Sequence, residues 1–267
     1  MSNRLITLTT DFGTSDYFIG AMKGVIASIA PAARVADITH EIAPYNILEA
    51  AFVIAQAAPY FPKGTIHVVV VDPGVGSDRR AILAEAGGQF FVAPDNGVLT
   101  MALDRAGTAP AKVRSITNAK LALKNISRTF HGRDIFAPAA AHLARGVKPA
   151  QFGKRIQDYG RLAASEPTEL SPNSWRGTIL KTDRFGNLIT NFHIGEFFAI
   201  ETNPFVMRAA GAQIRRLALT FSDTGRGELA VVVGSSGYLE ITANQASAAA
   251  ELGLGAGAPV ELQIETS

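Results

Sequence analysis

Two acidic residues each follow a short apolar run. Asp11 ends the first run in Thr9-Thr10-Asp11-Phe12-Gly13-Thr14. Asp72 opens Asp72-Pro73-Gly74-Val75-Gly76-Ser77-Asp78-Arg79 after Thr65–Val71, which is β-branched and almost continuously apolar. In an α/β sheet the carboxyl ends of strands open onto the ligand crevice. A carboxylate at Asp11 suits the vicinal hydroxyls of a ribose, and equally suits the cap of a following helix. The Pro and two Gly after Asp72 make a tight turn with exposed amides, although it is neither a phosphate loop nor a dinucleotide fingerprint. Asp72 and Arg79 stand on opposite limbs of that turn. They are placed to meet, either as a catalytic pair or as a structural ion pair.

Three further clusters carry side chains able to do chemistry. In Thr129-Phe130-His131-Gly132-Arg133-Asp134, His131 stands at the start of an expected helix, where backbone N–H groups favour negative charge. Gly132 leaves room for a ligand against the backbone. Taken alone, His131 reads as a histidine satisfied by nearby backbone, as do His40, His67, His142 and His193. Thr182-Asp183-Arg184-Phe185-Gly186-Asn187 offers Asn187, whose amide suits a purine edge, and the stacking face of Phe185. Gly234-Ser235-Ser236-Gly237 lets backbone amides reach a ligand. Both clusters also read as turns.

These residues need elements to hold them. Strands are expected at Leu5–Thr9, Val35–Thr39, Thr65–Val71, Ala81–Ala86 and Gln89–Ala93, with helices at Tyr17–Ala30, Asn46–Pro59 and Asp134–Gly146. Alternating strands and helices predict an α/β class, with an N-terminal α/β/α layered domain built on a mostly parallel sheet over 1–160. The polar stretch 161–175 reads as a linker. From 176 to 267 the texture changes to short strands: Gly177–Lys181, Leu188–Phe192, Phe205–Ala209, Gln213–Leu219, Glu228–Val233, Gly237–Thr242 and Pro259–Glu265, with one helix at Ala246–Leu254. That predicts a smaller, all-β, barrel-like domain.

Composition narrows the function classes. The chain has 267 residues, 47% hydrophobic and 18% charged, with a formal net charge of +2. Such a chain buries a core without disulfides or a structural metal. The basic residues are scattered, so no nucleic-acid partner is expected. Without cysteine, thiol catalysis and Cys-ligated zinc are excluded, and a cytoplasmic protein is expected. No run is apolar and long enough for a membrane helix, so no membrane partner is expected.

Taken together and in this order, the five motifs resemble the S-adenosyl-L-methionine (SAM) hydroxide adenosyltransferases. These are SAM hydrolases related to the bacterial fluorinase and chlorinase, and the likeness runs from Leu5 to about Leu262. The resemblance implies attack of water or hydroxide at ribose C5′, releasing adenosine and L-methionine. It implies an Asp-Arg-His triad, matched by Asp72, Arg79 and His131, with Arg80 competing for the second place. Gly132 stands where the fluorinase has a halide-contacting Ser, which implies the water-using branch. Asp11 matches a ribose contact and Tyr45 an aromatic near the sugar and sulfonium. Asp183, Ser235 and Ser236 match the methionine end, with Asp16 near it. Phe185 and Asn187 match adenine contacts, with Phe221 as a second ring face. The family also implies a homotrimer with sites at subunit interfaces, and no cofactor or metal.

Two other classes stay open on the residues alone. Asp11, Asp16, Asp72, Asp95 and Asp134 with His131 offer oxygen and nitrogen ligands for a metal-dependent nucleoside or nucleotide hydrolase. A non-catalytic SAM or adenosine binder would need the same pocket but no triad.

Overall fold

The computed structural model describes residues 4–107 and 109–265. The chain divides between Leu162 and Ala163 into two compact units. In the first, β1 (Leu5–Thr10), β2 (Arg34–Thr39), β3 (Ile66–Val70), β4 (Ala81–Ala86), β5 (Gln89–Pro94), β6 (Lys112–Ser115) and β7 (Arg155–Ile156) form one sheet in the order β2-β1-β3-β5-β4-β6-β7. β1, β2, β3 and β5 run parallel, and all five residues of β3 are buried.

The second half of this sheet departs from the expected mostly parallel order. β4 is antiparallel to β5 and β6, and β6 to β7. The cause is local. Gly87 and Gly88 both take positive φ, 58° and 79°, which closes the two-residue hairpin between β4 and β5. A turn that short admits only antiparallel strands.

Helices α1 (Phe18–Ile29) and α4 (Ala137–Ala144) pack together, and α4 packs on β1 and β3. Their Met22, Ile26, Ala140 and Leu143 join Ile6, Leu8 and Val68 in one buried cluster. α2 (Ile47–Ala57) packs on β1 and on α3 (Thr100–Arg105). Asn46 caps α2 by accepting from Glu49 N at 3.0 Å. α3 and β6 were not expected from the sequence. The helix expected over Asp134–Gly146 starts instead as a π-helical turn, Gly132–Phe136, that runs into α4.

The second unit holds β8 (Thr168–Ser171), β9 (Ser174–Thr182), β10 (Leu188–His193), β11 (Phe205–Ala209), β12 (Ala212–Ile214), β13 (Leu217–Ala218), β14 (Leu229–Val233), β15 (Tyr238–Ala243), α5 (Ala248–Leu252) and β16 (Pro259–Ile264). They make one sheet in the order β12-β11-β16-β9-β10-β15-β14-β13, with β8 added beside β9. β8 lies inside the stretch expected as a linker. Phe192, Met207, Val231, Leu239 and Leu262 are fully buried in this unit's core. No described helix is long and apolar enough to cross a membrane.

Candidate active site

The parallel half of the first sheet places two loops side by side. β1 and β3 are hydrogen-bonded neighbours, with Thr10 in register with Val70. Asp11 and Asp72 therefore emerge together at the carboxyl ends of adjacent strands. A cavity of about 330 Å³ opens there, lined by Asp11, Tyr45, Asp72, His131 and Gly132 among others.

The turn after β3 folds Arg79 back onto Asp72. Val75 N donates to Asp72 O at 3.1 Å and Ser77 N to Gly74 O at 3.1 Å. Gly76 has a φ of 82°, and a side chain there would strike the Arg128 carbonyl. Arg79 Nε donates to Asp72 Oδ1 at 2.9 Å, and Arg79 Nη2 donates to Asp72 Oδ2. The pair is nearly buried, with the side chains 10% and 5% exposed. The guanidinium also lies over the Phe136 ring, 5.3 Å from its centroid.

His131 reaches this pair from 52 residues further along the chain, with its Nδ1 2.7 Å from Arg79 Nη2. A guanidinium has no lone pair to accept with. Nδ1 is therefore the acceptor, and the imidazole is neutral with its proton on Nε2. Burial, and then the Arg79 cation, hold the His131 pKa below its ordinary value of 6.5. Asp72, Asp134 and a backbone hydrogen bond at Ser127 oppose that shift without cancelling it.

Arg79 Nε–H and one Nη2–H go to Asp72, and the other Nη2–H goes to His131. No described residue accepts from the two Nη1–H groups.

The loop carrying His131 is fixed by Asp134, whose side chain is fully buried. Asp134 Oδ2 accepts from Ser127 N at 2.8 Å, and Arg133 Nε donates to Oδ1 at 2.6 Å. At Gly132 a Cβ would stand 3.3 Å from Met22 Sδ, Phe12 Cε2 and Phe130 Cε2, tighter than ordinary contact. Phe12, Phe18 and Phe130 pack edge-on and wall this end of the cavity. Sequence reading missed them as lining, although Phe12 and Phe130 stand inside the motifs.

Asp11 is held by backbone amides, its own and that of Tyr45. Its Oδ2 accepts from Tyr45 N at 2.8 Å. Tyr45 has a φ of 67°, a strained conformation for a non-glycine residue, and its ring stands exposed at the rim. Burial raises the Asp11 pKa, with Asp72 adding to the effect and the Tyr45 amide opposing it.

The structure thus brings together Asp11, Tyr45, Asp72, Arg79, His131 and Gly132. It sets apart Arg80, which pairs with Asp95 at 2.7 Å and Asp158 at 2.9 Å. Asp16 is exposed and does not line the cavity. Asp95 and Asp134 are engaged by Arg80, Gly160, Arg133 and Ser127. Among the described residues no three His, Asp or Glu side chains group as metal ligands. His67 is a core residue: burial pushes it down to about 4, and it stacks on Phe91.

The remaining candidates belong to the second unit. Asp183, Phe185 and Asn187 share the β9–β10 turn. Asp183 Oδ1 accepts from Phe185 N at 2.9 Å and Asn187 N at 2.8 Å, and Oδ2 accepts from Asn187 Nδ2 at 2.8 Å. This leaves the Phe185 ring 79% exposed. Gly186, with a φ of 88°, is required because any Cβ there would strike Ser247. Ser235 and Ser236 form the β14–β15 turn, where Ser236 Oγ is buried with no partner. Phe221 starts a separate 3₁₀ turn, Phe221–Asp223, and is half exposed.

Comparison with known proteins agrees across both units. Residues 6–153 match the SAM hydroxide adenosyltransferase N-terminal domain, and 177–261 match the C-terminal domain. An (R)-S-adenosyl-L-methionine hydrolase from Salinispora arenicola is 38% identical over 91% of this chain and 92% of its own. A fluorinase from Actinoplanes sp. is 28% identical over 97% of each chain. Among solved structures, an uncharacterized conserved protein from Thermotoga maritima superposes with a TM-score of 0.86 at 38% identity, covering 97% of this chain and 99% of the other.

Proposed function

The chain belongs to the SAM hydroxide adenosyltransferase family, and from that premise we propose how its residues carry out the reaction. It is an enzyme that hydrolyses SAM to adenosine and L-methionine. We take the (R) sulfonium epimer, named for the Salinispora relative, as its substrate. A sulfonium leaves as a neutral thioether, so no acid is needed for departure. The protein must hold one water behind C5′, opposite sulfur, and receive its proton. Such positioning offsets roughly 7–11 kcal/mol in ideal intramolecular cases.

The triad divides that work by its hydrogen-bond inventory. Arg79 Nη1 donates to the water oxygen. Asp72, with a lone pair left on each oxygen, accepts a water proton. The water–C5′ bond forms as the C5′–S bond breaks and its electron pair goes to sulfur. The attacking water grows acidic as that bond forms, so a weak, ion-paired carboxylate suffices as base. His131 acts as a positioning residue, because its one free lone pair is spent on Arg79. Asp11 takes the ribose hydroxyls on its remaining oxygen. Gly132 is enclosed by Met22, Phe12 and Phe130, so a side chain there would crowd them, and it stands in place of the halide-contacting Ser of the fluorinase, which supports water over halide.

The observation that supports this reading is that Asp72 and His131 line the cavity that Asp11 also lines, with Arg79 hydrogen-bonded to both. A non-catalytic SAM binder would have no use for it. Incubation with SAM in isotopically labelled water tests it: label belongs in the adenosine 5′-hydroxyl. Unlabelled adenosine, or cleavage of another bond, would overturn the mechanism.

The second unit supplies the other end of the ligand in this reading, with Phe185, Asn187 and Phe221 at adenine and Asp183, Ser235 and Ser236 at methionine. We further read the chain as a cytoplasmic homotrimer with sites at subunit interfaces. The first unit would be a layered α/β/α domain over 1–160, and 176–267 a barrel-like domain. Light scattering of the purified protein tests the trimer.

A further inference from the structure

His40 is a buried histidine that the triad chemistry does not use, standing just past the end of β2. Sequence alone groups it with histidines satisfied by backbone, but its ring is met by side chains. Nδ1 lies 2.8 Å from Thr10 Oγ1. Nε2 lies 3.1 Å from Asp37 Oδ1, in ion-pair range but not aligned for a hydrogen bond. Asp37 in turn takes Lys23 Nζ of α1 at 2.6 Å. Strand pairing explains why Asp37 and His40 meet. Residues three apart on a regular strand face opposite sides. Between β1 and β2 the register slips by one residue, so that Leu8 stands opposite Asp37 but Thr9 opposite Thr39. The extra residue, Ile38, makes a bulge, and a bulge re-aims the side chains beyond it.

These contacts tie two loops together around Asp11. Thr10 Oγ1, the partner of His40, also accepts from Phe12 N at 3.3 Å. Gly13 N donates to His40 O at 2.8 Å. Asp11 stands between these two ties, and its Oδ2 accepts from Tyr45 N, at the far end of the loop that His40 begins. That loop is anchored in turn, because Ala43 N donates to Glu49 Oε2 at 3.2 Å. Thr10 and His40 are both buried, so removing either partner leaves the other polar group unpaired and away from water. A loop that must present a carboxylate to a ligand binds better when its geometry is fixed beforehand. His40 does not itself line the cavity that Asp11 lines.

We propose that His40 is a positioning residue for the sugar contact, acting through Thr10 Oγ1 to aim Asp11 into the cavity. This rests on the SAM reading above, in which Asp11 takes the ribose hydroxyls. The Gly13 tie is made by backbone and survives substitution of the His40 side chain, so the loop keeps its path while its root loosens.

The test uses the full-length chain. His40→Leu removes both ring nitrogens, His40→Asn keeps an amide near the Nδ1 position, and Thr10→Val removes the hydroxyl while keeping the branch. Thermal unfolding establishes that each is folded, and Thr10→Val carries the test if His40→Leu is not. Calorimetry measures affinity for SAM and for its dideoxy-ribose analogue, and adenosine release measures turnover. His40→Leu should raise Kd and KM for SAM about fivefold and change kcat less than about twofold. Thr10→Val should match it, and the double variant should lose no more than either alone. His40→Asn should recover most of the affinity. In an Asp11→Asn background His40→Leu should cost less than about twofold. The dideoxy analogue should bind wild type and His40→Leu equally. Wild-type SAM affinity in folded His40→Leu and Thr10→Val would overturn the proposal. So would an equal loss for the dideoxy analogue, which marks a general structural role. Failure of the hydrolysis reading would look different: wild type would bind SAM without releasing adenosine, and the affinity comparison would still stand or fall by itself.

Discussion

The cavity of the first unit and the β9–β10 and β14–β15 turns of the second handle polar groups in opposite ways. In the first, Asp72, Arg79 and His131 satisfy one another, and the network is complete apart from the Arg79 Nη1 donors and spare carboxylate lone pairs. In the second, Ser236 Oγ is buried with no partner among the described residues, and Phe185 is exposed. The difference separates two tasks. A group that must orient a small nucleophile works best when its own geometry is fixed beforehand. A group that recognises one end of a large ligand can wait for the ligand to complete its hydrogen bonds. Changes in the first region should therefore appear in kcat, and changes in the second in KM.

The largest expected effect is on Asp72, the base of the proposed mechanism. Asp72→Asn should lower kcat about a thousandfold with little change in KM, measured by chromatography of adenosine. A fall confined to KM would erase the contrast between the regions. His131→Ala should cost kcat less, on the order of thirtyfold, since it removes support for Arg79 rather than the proton acceptor. A loss equal to that of Asp72→Asn would make His131 the base and refute the tautomer deduced from Arg79.

The pH profile sharpens the same point. His131 must be neutral to accept from Arg79, and its pKa lies below 6.5 in the folded protein. The acid limb of kcat should therefore fall below pH 6.5, as protonation sets an imidazolium against the guanidinium. An acid limb centred above 6.5 would contradict the arrangement.

Asp11→Asn should raise KM roughly tenfold, because a charged acceptor is lost from the proposed ribose contact. The smallest effect belongs to the second unit. Phe185→Ala should raise KM a few-fold, the size expected of one aromatic contact, and leave kcat nearly unchanged. A drop in kcat matching that of the triad variants would show that the regions do not divide the labour as described.

Much of the architecture is legible in the order of residues, because it rests on short-range rules. The continuous apolar run at β3 predicts a strand covered on both faces, and Ile66–Val70 is buried throughout. The Asn46 cap and the Gly87-Gly88 hairpin are equally local, although the antiparallel half of the sheet that follows from that hairpin was not anticipated. α3 has only six residues and the unexpected β6 only four, too few to carry a clear period.

Sequence by itself determined which side chains occupy the ends of strands and turns, and thus the chemistry on offer: carboxylates at Asp11 and Asp72, guanidinia at Arg79 and Arg80, an imidazole at His131. It could not choose between the two arginines or fix the state of the histidine. Those were decided by tertiary structure, which turns Arg80 toward Asp95 and Asp158 and sets Arg79 Nη2 against His131 Nδ1 across 52 residues. The reason is geometric. Arg79 and Arg80 lie side by side in the loop before β4, where no strand alternation fixes which one faces Asp72, and a histidine's tautomer is set by whichever donor the fold brings to it.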